Sequence, residues 1–359
     1  MWDDAIKVRS ALNANESESQ SMALMTKPPA NADNIFEGLT ARGCVELRLF
    51  ANSLKSGIRQ KTIPKKSWGG HHAVTESLVR GLRAERIPFS FNPMTIDLES
   101  NKLLGILGGM STFSWALAQD ESAGKFRLLV GPNVFETPLD VGRDCLNPAI
   151  VGLVTPSNWV RDFYASELPE FDRPIHVWAA GVDSDFWSPS KEDGSPVAQT
   201  ALLYVKSKNL DAVERAKAAC EMAGFTVKMV TYGRYSRNQY RKALRQASVM
   251  VVVGGAESQG LALFEAWSVG LPTLVFRHDG RIRLRNHPER QIVIEDPANA
   301  APYLSPDTGL FWNSSAELLE ILHAREWEKF RPREWIVNNA TMAISARKYA
   351  DIFHASNLQ

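Results

Sequence analysis

The sequence predicts an α/β protein made of two doubly wound domains. Short apolar runs alternate with amphipathic helical patterns along most of the chain, and this alternation stops once, in a polar stretch at 181–198, before it starts again. Such alternation indicates a parallel sheet covered by helices. A chain of 359 residues is long enough for two cores of this kind. We therefore assign residues 43–180 to a first Rossmann-like domain and residues 181–337 to a second.

The first domain is predicted to begin after a loosely structured segment. Residues 1–42 are polar, contain prolines and show little periodicity. The first strand candidate is CVELRLFA at 44–51, and a helical pattern follows at 73–83, where apolar residues recur three and four positions apart. The elements predicted to complete the domain are the strands IPFSF, KLLGIL, FRLLVGP, AIVGLVTPS and PIHVWAAG and the helices 114–122 and 158–167.

The second domain repeats the alternation, and one more helix follows it. Its predicted elements are the strands TALLYV, TVKMVTYG, SVMVVVGG and PTLVF and the helices 210–223, 237–246 and 261–269. The helical pattern at 338–359 comes after the second domain, and we group it with the first.

Composition argues against several classes of function. The formal net charge of +1 argues against nucleic-acid binding. The 3 cysteines are far apart and lack metal-ligand spacing, which predicts a reduced, cytoplasmic protein. No apolar run approaches the roughly 18 residues of a membrane span. The N-terminus shows no basic-then-apolar signal pattern.

The stretch ESQGLALFEAWSVGLPT at 257–273 holds the candidate chemistry. It follows the strand at 249–253, and ligands of open parallel sheets bind beyond the carboxyl ends of the strands. The N–H groups at the start of its helix favour phosphate, and Gly260 has no side chain to keep a diphosphate away. Glu265 could accept hydrogen bonds from a ribose diol, and Glu257 from sugar hydroxyls. By spacing alone, an ordinary strand–helix connection is the more common explanation of the pattern.

This stretch closely resembles the Glu-x-x-Gly-Leu … Glu-Ala … Gly-x-Pro signature of retaining glycosyltransferases of the GT-B fold, family 4 group. The segments SWGGHH, TPSNWVRDFY and AAGVDSDFWSPS resemble further parts of that family in the same order. The resemblance implies two Rossmann-like domains that face a cleft, with the C-terminal helix crossing back to the first domain. It also implies transfer of a sugar, with retention, from a nucleotide diphosphate sugar (UDP or GDP) to a hydroxyl acceptor, which could be a glycan, a lipid-linked molecule or a small molecule. We expect no metal or other cofactor, because the helix N–H groups and Lys206 or Lys208 supply the positive charge that a metal would supply.

The resemblance gives roles to individual residues. Glu257 would contact the donor sugar and is the first catalytic candidate, Gly260 and Leu261 would receive the diphosphate, and Glu265 would bind the ribose. The family's basic pair has altered spacing here, and Lys206 and Lys208 are the nearest cations. The predicted donor-binding residues are Lys206, Lys208, Tyr232, Gly233, Ser258, Gln259, Gly260, Leu261 and Glu265.

The acceptor side departs from the family. Many relatives have a histidine at a strand end of the first domain, but the corresponding segment KLLGILGGMSTF has none. We take His72 as the second catalytic candidate, although an isolated histidine is more often structural. The residues predicted to line the acceptor side of the cleft are Gly69, Gly70, His71, Gly108 and Gly109.

Several alternatives remain open. Because this histidine is missing, the chain could instead be a non-catalytic GT-B protein that binds a nucleotide sugar or a glycan. A sugar-nucleotide epimerase, which shares the same architecture, is a further alternative. Asp183–Asp185 matches the Asp-x-Asp metal motif of a different glycosyltransferase fold, but turn formation by Asp and Ser explains it better. Basic stretches at 55–66 and 277–290 are ordinarily solvated loops. The first could instead contact an anionic inner-membrane face or acceptor, and the second could approach the donor phosphate.

Overall fold

The computed structural model describes most of the chain, including both sheets. The described residues are 22–29, 70–93, 102–123, 127–189, 199–207, 209–277, 279–284, 286–294 and 297–358. Four predictions fall outside them: the strand at 44–51, the basic stretch at 55–66, and the roles of Gly69 and Lys208.

The first domain is built on a parallel sheet. Its strands are β1 (Met22–Met25), β2 (Phe89–Phe91), β3 (Leu103–Gly108), β4 (Arg127–Asn133), β5 (Ile150–Thr155) and β6 (Ile175–Val177). They lie in the order β2-β1-β3-β4-β5-β6, and every pairing is parallel. The helices of this domain are α1 (Gly70–Ala84), α2 (Met110–Ala123) and α3 (Asn158–Glu167). β3 is buried along its whole length, as expected of an interior strand in a parallel sheet.

Strand β1 corrects, at residues 22–25, the prediction that residues 1–42 are loosely structured; of that segment only 22–29 lie among the described residues. It lies inside the sheet, paired with β2 on one side and β3 on the other. All four of its residues, Met-Ala-Leu-Met, are buried. A run of four apolar residues within a polar segment is too short to show a period, so the sequence pattern did not reveal it.

The second domain repeats this architecture. Its part of the chain contributes β7 (Thr200–Val205), β8 (Thr226–Thr231), β9 (Val249–Val253), β10 (Thr273–Phe276), β11 (Arg281–Arg283), β12 (Gln291–Val293) and β13 (Gly309–Trp312). Five of these strands form a parallel sheet in the order β13-β10-β9-β7-β8. The helices are α4 (Leu210–Met222), α5 (Arg237–Arg245), α6 (Leu261–Ser268), α7 (Ser315–Ala324) and α8 (Pro332–Asn339). β11 and β12 pair antiparallel in a hairpin that we call the strap, residues 279–284 and 286–294.

The strap joins the second domain to the first. Leu284 is 3% exposed and packs in the hydrophobic core of the first domain. His287 Nε2 lies 3.0 Å from Asp140 Oδ1, and the Arg290 guanidinium donates to Glu167 Oε2 at 2.8 Å. Arg290, one of the arginines considered for the donor phosphate, is thus paired with a carboxylate of the first domain.

The C-terminal helix α9 (Met342–Leu358) returns to the first domain, as predicted, and packs on α1. Gly81 of α1 permits this contact, because a Cβ there would lie 2.8 Å from Ala346 Cβ and closer still to the Met342 carbonyl oxygen. Trp178 Nε1 donates to the Ser345 carbonyl oxygen at 2.8 Å. The sequence predicts that this helix starts at 338, but it starts four residues later, at Met342. The residues up to Asn339 belong to α8.

None of the helices in the described part of the chain combines the length and the apolar character needed to cross a membrane.

Candidate functional site

The carboxyl ends of β7 and β9 bring an ion pair together. Lys206 directly follows β7, and Glu257 lies in the loop after β9. These strands are parallel neighbours, so both residues reach the same edge of the sheet. Lys206 Nζ lies 2.7 Å from Glu257 Oε1 and 2.8 Å from Glu257 Oε2. It also lies 4.7 Å from the centre of the Tyr232 ring. Three predicted donor-side residues therefore form one cluster.

Two hydrogen bonds hold the backbone of Glu257. Its N–H donates to the Asn299 carbonyl oxygen at 2.7 Å, and the Asn299 side chain donates to the Ile294 carbonyl oxygen in the strap at 2.9 Å. From α3 of the first domain, Trp159 Nε1 donates to the Glu257 carbonyl oxygen at 2.9 Å. Sequence reasoning missed Trp159 and Asn299, because a side chain that holds a backbone group carries no motif.

Gly260 begins α6 in a conformation that suits glycine. Its φ of +87° is left-handed, and a Cβ there would lie 3.1 Å from Leu263 Cδ1. The N–H groups of Leu261 and Ala262 precede the first intrahelical bond, which Leu263 donates to the Gly260 carbonyl oxygen at 2.9 Å. Tyr240 anchors this turn by donating to the Ala262 carbonyl oxygen at 3.0 Å. The start of α6 therefore offers backbone donors to an anion.

Glu265 lies one turn into α6, where its surroundings disfavour the charged form. Burial raises the pKa of Glu265 to about 8, and the positive charge of Arg237 only partly offsets this. Arg237 lies over the Phe186 ring at 4.7 Å from its centre. Sequence reasoning did not assign Arg237 to this site. A ligand with hydroxyl donors would stabilise the ionised carboxylate.

The remaining donor-side candidates occupy different places. Gln259 is 5% exposed, and its amide bonds both backbone groups of Ala180, accepting from N–H at 3.0 Å and donating to the carbonyl oxygen at 2.7 Å. That side chain thus ties the loop after β9 to the end of the first domain at Ala180. Ser258 is exposed in the loop, and Gly233 forms a turn with a φ of +76°. Their roles toward a donor remain predictions.

The first-domain candidates lie on two elements. Gly70, His71 and His72 form the exposed first turn of α1. Gly108 ends β3, and Gly109 links it to α2. A catalytic or acceptor role for His71 or His72 remains a prediction.

Asp183 has a structural role, in agreement with the predicted turn. Its Oδ1 accepts the Phe186 N–H at 3.0 Å, and its Oδ2 lies 2.6 Å from the Arg80 guanidinium. Burial alone would raise the pKa of Asp183, but these contacts outweigh it and lower the pKa. No cluster of three or more His, Cys, Asp or Glu side chains suited to a metal occurs among the described residues.

No family model matches the sequence, and no curated protein matches it. Solved structures do match the fold. HepE of Anabaena in complex with UDP has a TM-score of 0.56 at 9% identity, with 93% of this chain and 100% of that chain covered. Sucrose-phosphate synthase from Thermosynechococcus elongatus has a TM-score of 0.53 at 12% identity, with 94% and 98% covered. The chain has the GT-B fold.

The likeness to the GT-B structures is one of fold. Its identities are about 10%, and the chain spans 58% of the length of another match, the pneumococcal O-GlcNAc transferase GtfA, at a TM-score of 0.49. Within this GT-B chain, the ion pair and the start of α6 belong to the second domain, while Trp159 reaches them from the first. The candidate site therefore lies where the two domains meet.

Proposed function

We propose that the protein is a glycosyltransferase that moves a sugar from a nucleotide diphosphate sugar to a hydroxyl acceptor, with retention. The observation that carries this proposal is the Lys206–Glu257 ion pair beside the open N-terminus of α6. This arrangement supplies a cation and backbone donors for a diphosphate, and a carboxylate for sugar hydroxyls, at one edge of one sheet.

Each donor group has a proposed partner. The N–H groups of Leu261 and Ala262 and the Lys206 ammonium bind the diphosphate. Glu257 accepts hydrogen bonds from the sugar hydroxyls, and Glu265 accepts them from the ribose diol. When the donor binds, the Lys206–Glu257 ion pair must open or share its charge. The Lys206 ammonium then binds the diphosphate, and the Glu257 carboxylate accepts hydrogen bonds from the sugar. Each half of the pair exchanges one partner for another, which limits the desolvation cost.

The chemistry follows from stabilising the leaving group. The bond from the anomeric carbon to the diphosphate oxygen breaks, and the acceptor oxygen bonds to the same carbon on the same face. The acceptor proton passes to the departing phosphate oxygen, so no protein nucleophile takes part. Lys206 and the helix N–H groups stabilise the charge that develops on the diphosphate, and the cleft between the domains positions the two substrates.

Finer details belong to the same proposal. HepE was crystallised with UDP and with UDP-glucose, which supports UDP as the first nucleotide to test and a hexose as the sugar. We propose that transfer needs no metal, because Lys206 and the start of α6 supply positive charge where a metal would. We further propose a cytoplasmic protein that works at the inner membrane face.

The test is nucleotide binding followed by turnover. Melting temperatures are measured with UDP, GDP and ADP, because a ligand that binds only the folded state raises the melting temperature. Release of nucleoside diphosphate from matching sugar donors is then measured with and without cell extract as acceptor. We expect UDP to stabilise the protein, and Lys206→Met to remove most of that stabilisation.

Lys217→Met is the matched control. Lys217 is a lysine of the same domain that pairs with Glu221 on α4, away from the strand ends. Its substitution should leave the nucleotide effect intact. If no nucleotide stabilises the protein, the proposed function is wrong. If a nucleotide binds but no donor is ever turned over, the chain is a non-catalytic nucleotide-sugar binder.

A further inference from the structure

The strap is anchored on the first domain by apolar side chains as well as by ion pairs. Leu284 is buried in the hydrophobic core of that domain, and the partly buried Ile292 and Ile294 pack against the same core. Ile294 is the last residue of the strap. The end of the strap that leads back into the second domain is therefore held in place by the first domain.

Asn299 joins this anchored end of the strap to the loop after β9. It lies in the 3₁₀ helix Pro297–Ala300 and is 1% exposed. Its side-chain amide donates to the Ile294 carbonyl oxygen at 2.9 Å, and its own carbonyl oxygen accepts the Glu257 N–H at 2.7 Å. One buried residue thus bonds the strap through its side chain and Glu257 through its backbone.

The first domain also holds the other side of Glu257. Trp159 Nε1 of α3 donates to the Glu257 carbonyl oxygen at 2.9 Å. The N–H and the carbonyl group of a residue belong to the two planar peptide units that flank its Cα, so holding both units sets the direction of the Cα–Cβ bond. That direction brings the carboxylate to 2.7 Å from Lys206 Nζ. Both bonds that orient Glu257 therefore depend on the first domain, although Glu257 belongs to the second.

We propose that Asn299 is a positioning residue, which transmits the docking of the strap on the first domain to the Glu257 carboxylate. With the strap docked, the carboxylate is held beside Lys206. With the strap released, the Asn299 amide loses its fixed partner and Glu257 loses its fixed direction. The inference rests on the proposed function and adds that the donor side is complete only when the first domain is docked.

The first measurement reports the position of Glu257 without using turnover. The full chain is acetylated with a limiting amount of an N-hydroxysuccinimide ester, and modification of individual lysines is quantified by mass spectrometry. Glu257 binds the Lys206 ammonium, so Glu257→Ala should raise the modification of Lys206 several-fold. Asn299→Ala should raise it in the same way. Modification of Lys217, which pairs with Glu221 on α4, should stay unchanged in both variants.

Tyr303→Phe is the matched control for a loosened junction between the domains. Tyr303 donates across the junction to the Pro156 carbonyl oxygen at 2.7 Å, but this bond does not involve Glu257. The variant should lower the melting temperature and leave the modification of Lys206 as in wild type.

Leu284→Ala tests the strap itself, because it removes the most deeply buried side chain of the anchor. Leu128→Ala is its control, since Leu128 is a buried leucine of the same core on β4. Only Leu284→Ala should raise the modification of Lys206. Adding Asn299→Ala to Leu284→Ala should raise it no further, because both changes act through one connection.

The second measurement is turnover. Displacement of a reacting group by about 1 Å can lower a rate about 10²-fold, so kcat of Asn299→Ala should fall about 10–10²-fold while UDP affinity holds. In the Glu257→Ala background, Asn299→Ala should cause no further fall, because a positioning residue acts only through the group that it positions.

Four outcomes would overturn the inference. They are wild-type modification of Lys206 in Asn299→Ala, an equal rise in Tyr303→Phe, equal effects of Leu284→Ala and Leu128→Ala, and a further loss of turnover when Asn299→Ala is added to Glu257→Ala. Failure of every nucleotide to stabilise the protein would instead contradict the proposed function. The modification of Lys206 would still show whether Asn299 positions Glu257.

Discussion

The two domains present matching sheet edges at their junction, but they differ in how their polar groups are bonded. On the second domain, Lys206 and Glu257 bond each other, and Tyr240 anchors the start of α6. On the first domain, the Thr112 hydroxyl and the Asn133 amide nitrogen have no partner among the described residues. The polar groups at this edge of the second domain are thus held by bonds to other groups of the protein, whereas these two buried groups at the first-domain edge are not.

The largest expected effect tests whether Glu257 serves the sugar. Its loop is held by backbone bonds to Asn299 and Trp159 that do not use the carboxylate. Glu257→Ala should therefore keep the loop in place, while it removes the contact with the sugar and the ion pair with Lys206. We expect kcat to fall about 10²–10³-fold, the scale of losing one group that acts in the transition state. UDP affinity should hold or rise, because Lys206 is released from its partner.

Turnover and UDP affinity are measured on the same variant, by product release and by calorimetry. Glu221→Ala is the control, since Glu221 is an exposed residue of α4 in the same domain. Parallel losses of UDP affinity and turnover would show that Glu257 merely braces the loop, and would contradict the placement of the sugar there.

A smaller effect concerns the nucleotide alone. Glu265→Gln should weaken UDP binding by about 1–3 kcal/mol, the scale of losing a charge-assisted hydrogen bond. Calorimetry of UDP binding is the measurement. Unchanged affinity would remove Glu265 from the ribose site.

The raised pKa of Glu265 adds a pH dependence with a definite sign. The folded protein keeps the proton of Glu265 up to a pKa of about 8, whereas the unfolded chain loses it near the ordinary glutamate value of 4.5. Stability therefore declines as pH rises between these values, and Glu265→Gln should flatten that decline in melting temperature. Hydroxyl donors favour the ionised carboxylate, so UDP affinity of the wild type should rise toward pH 8, with release of protons. Equal pH profiles for wild type and variant would argue against this account.

The difference between the edges also explains what the sequence could predict. The strand–helix alternation indicated both sheets, and the donor residues Glu257, Gly260 and Glu265 occupy one contiguous stretch. To predict the ion pair between Glu257 and Lys206, only the pairing of β7 with β9 had to be known in addition. The unpartnered polar atoms at the first-domain edge instead come from separate elements, Thr112 from α2 and Asn133 from β4, and no sequence motif marks them. The sequence pattern did not predict β1, because four apolar residues can be recognised as a strand only when the strands beside them are known.

The smallest expected effect is that of removing metal ions. This removal tests whether Lys206 and the start of α6 supply the positive charge that transfer needs. We expect turnover to survive exhaustive EDTA treatment, because under the proposed function Lys206 and the N–H groups of α6 supply the positive charge that faces the leaving diphosphate. The second part of the test concerns Asp183, the first residue of the Asp-x-Asp match. Asp183 accepts the Phe186 N–H and pairs with Arg80, so Asp183→Asn should lower the melting temperature and leave kcat unchanged. A loss of turnover in EDTA that manganese restores in wild type, but not in Asp183→Asn, would make Asp183 a metal ligand and overturn this account of the donor edge.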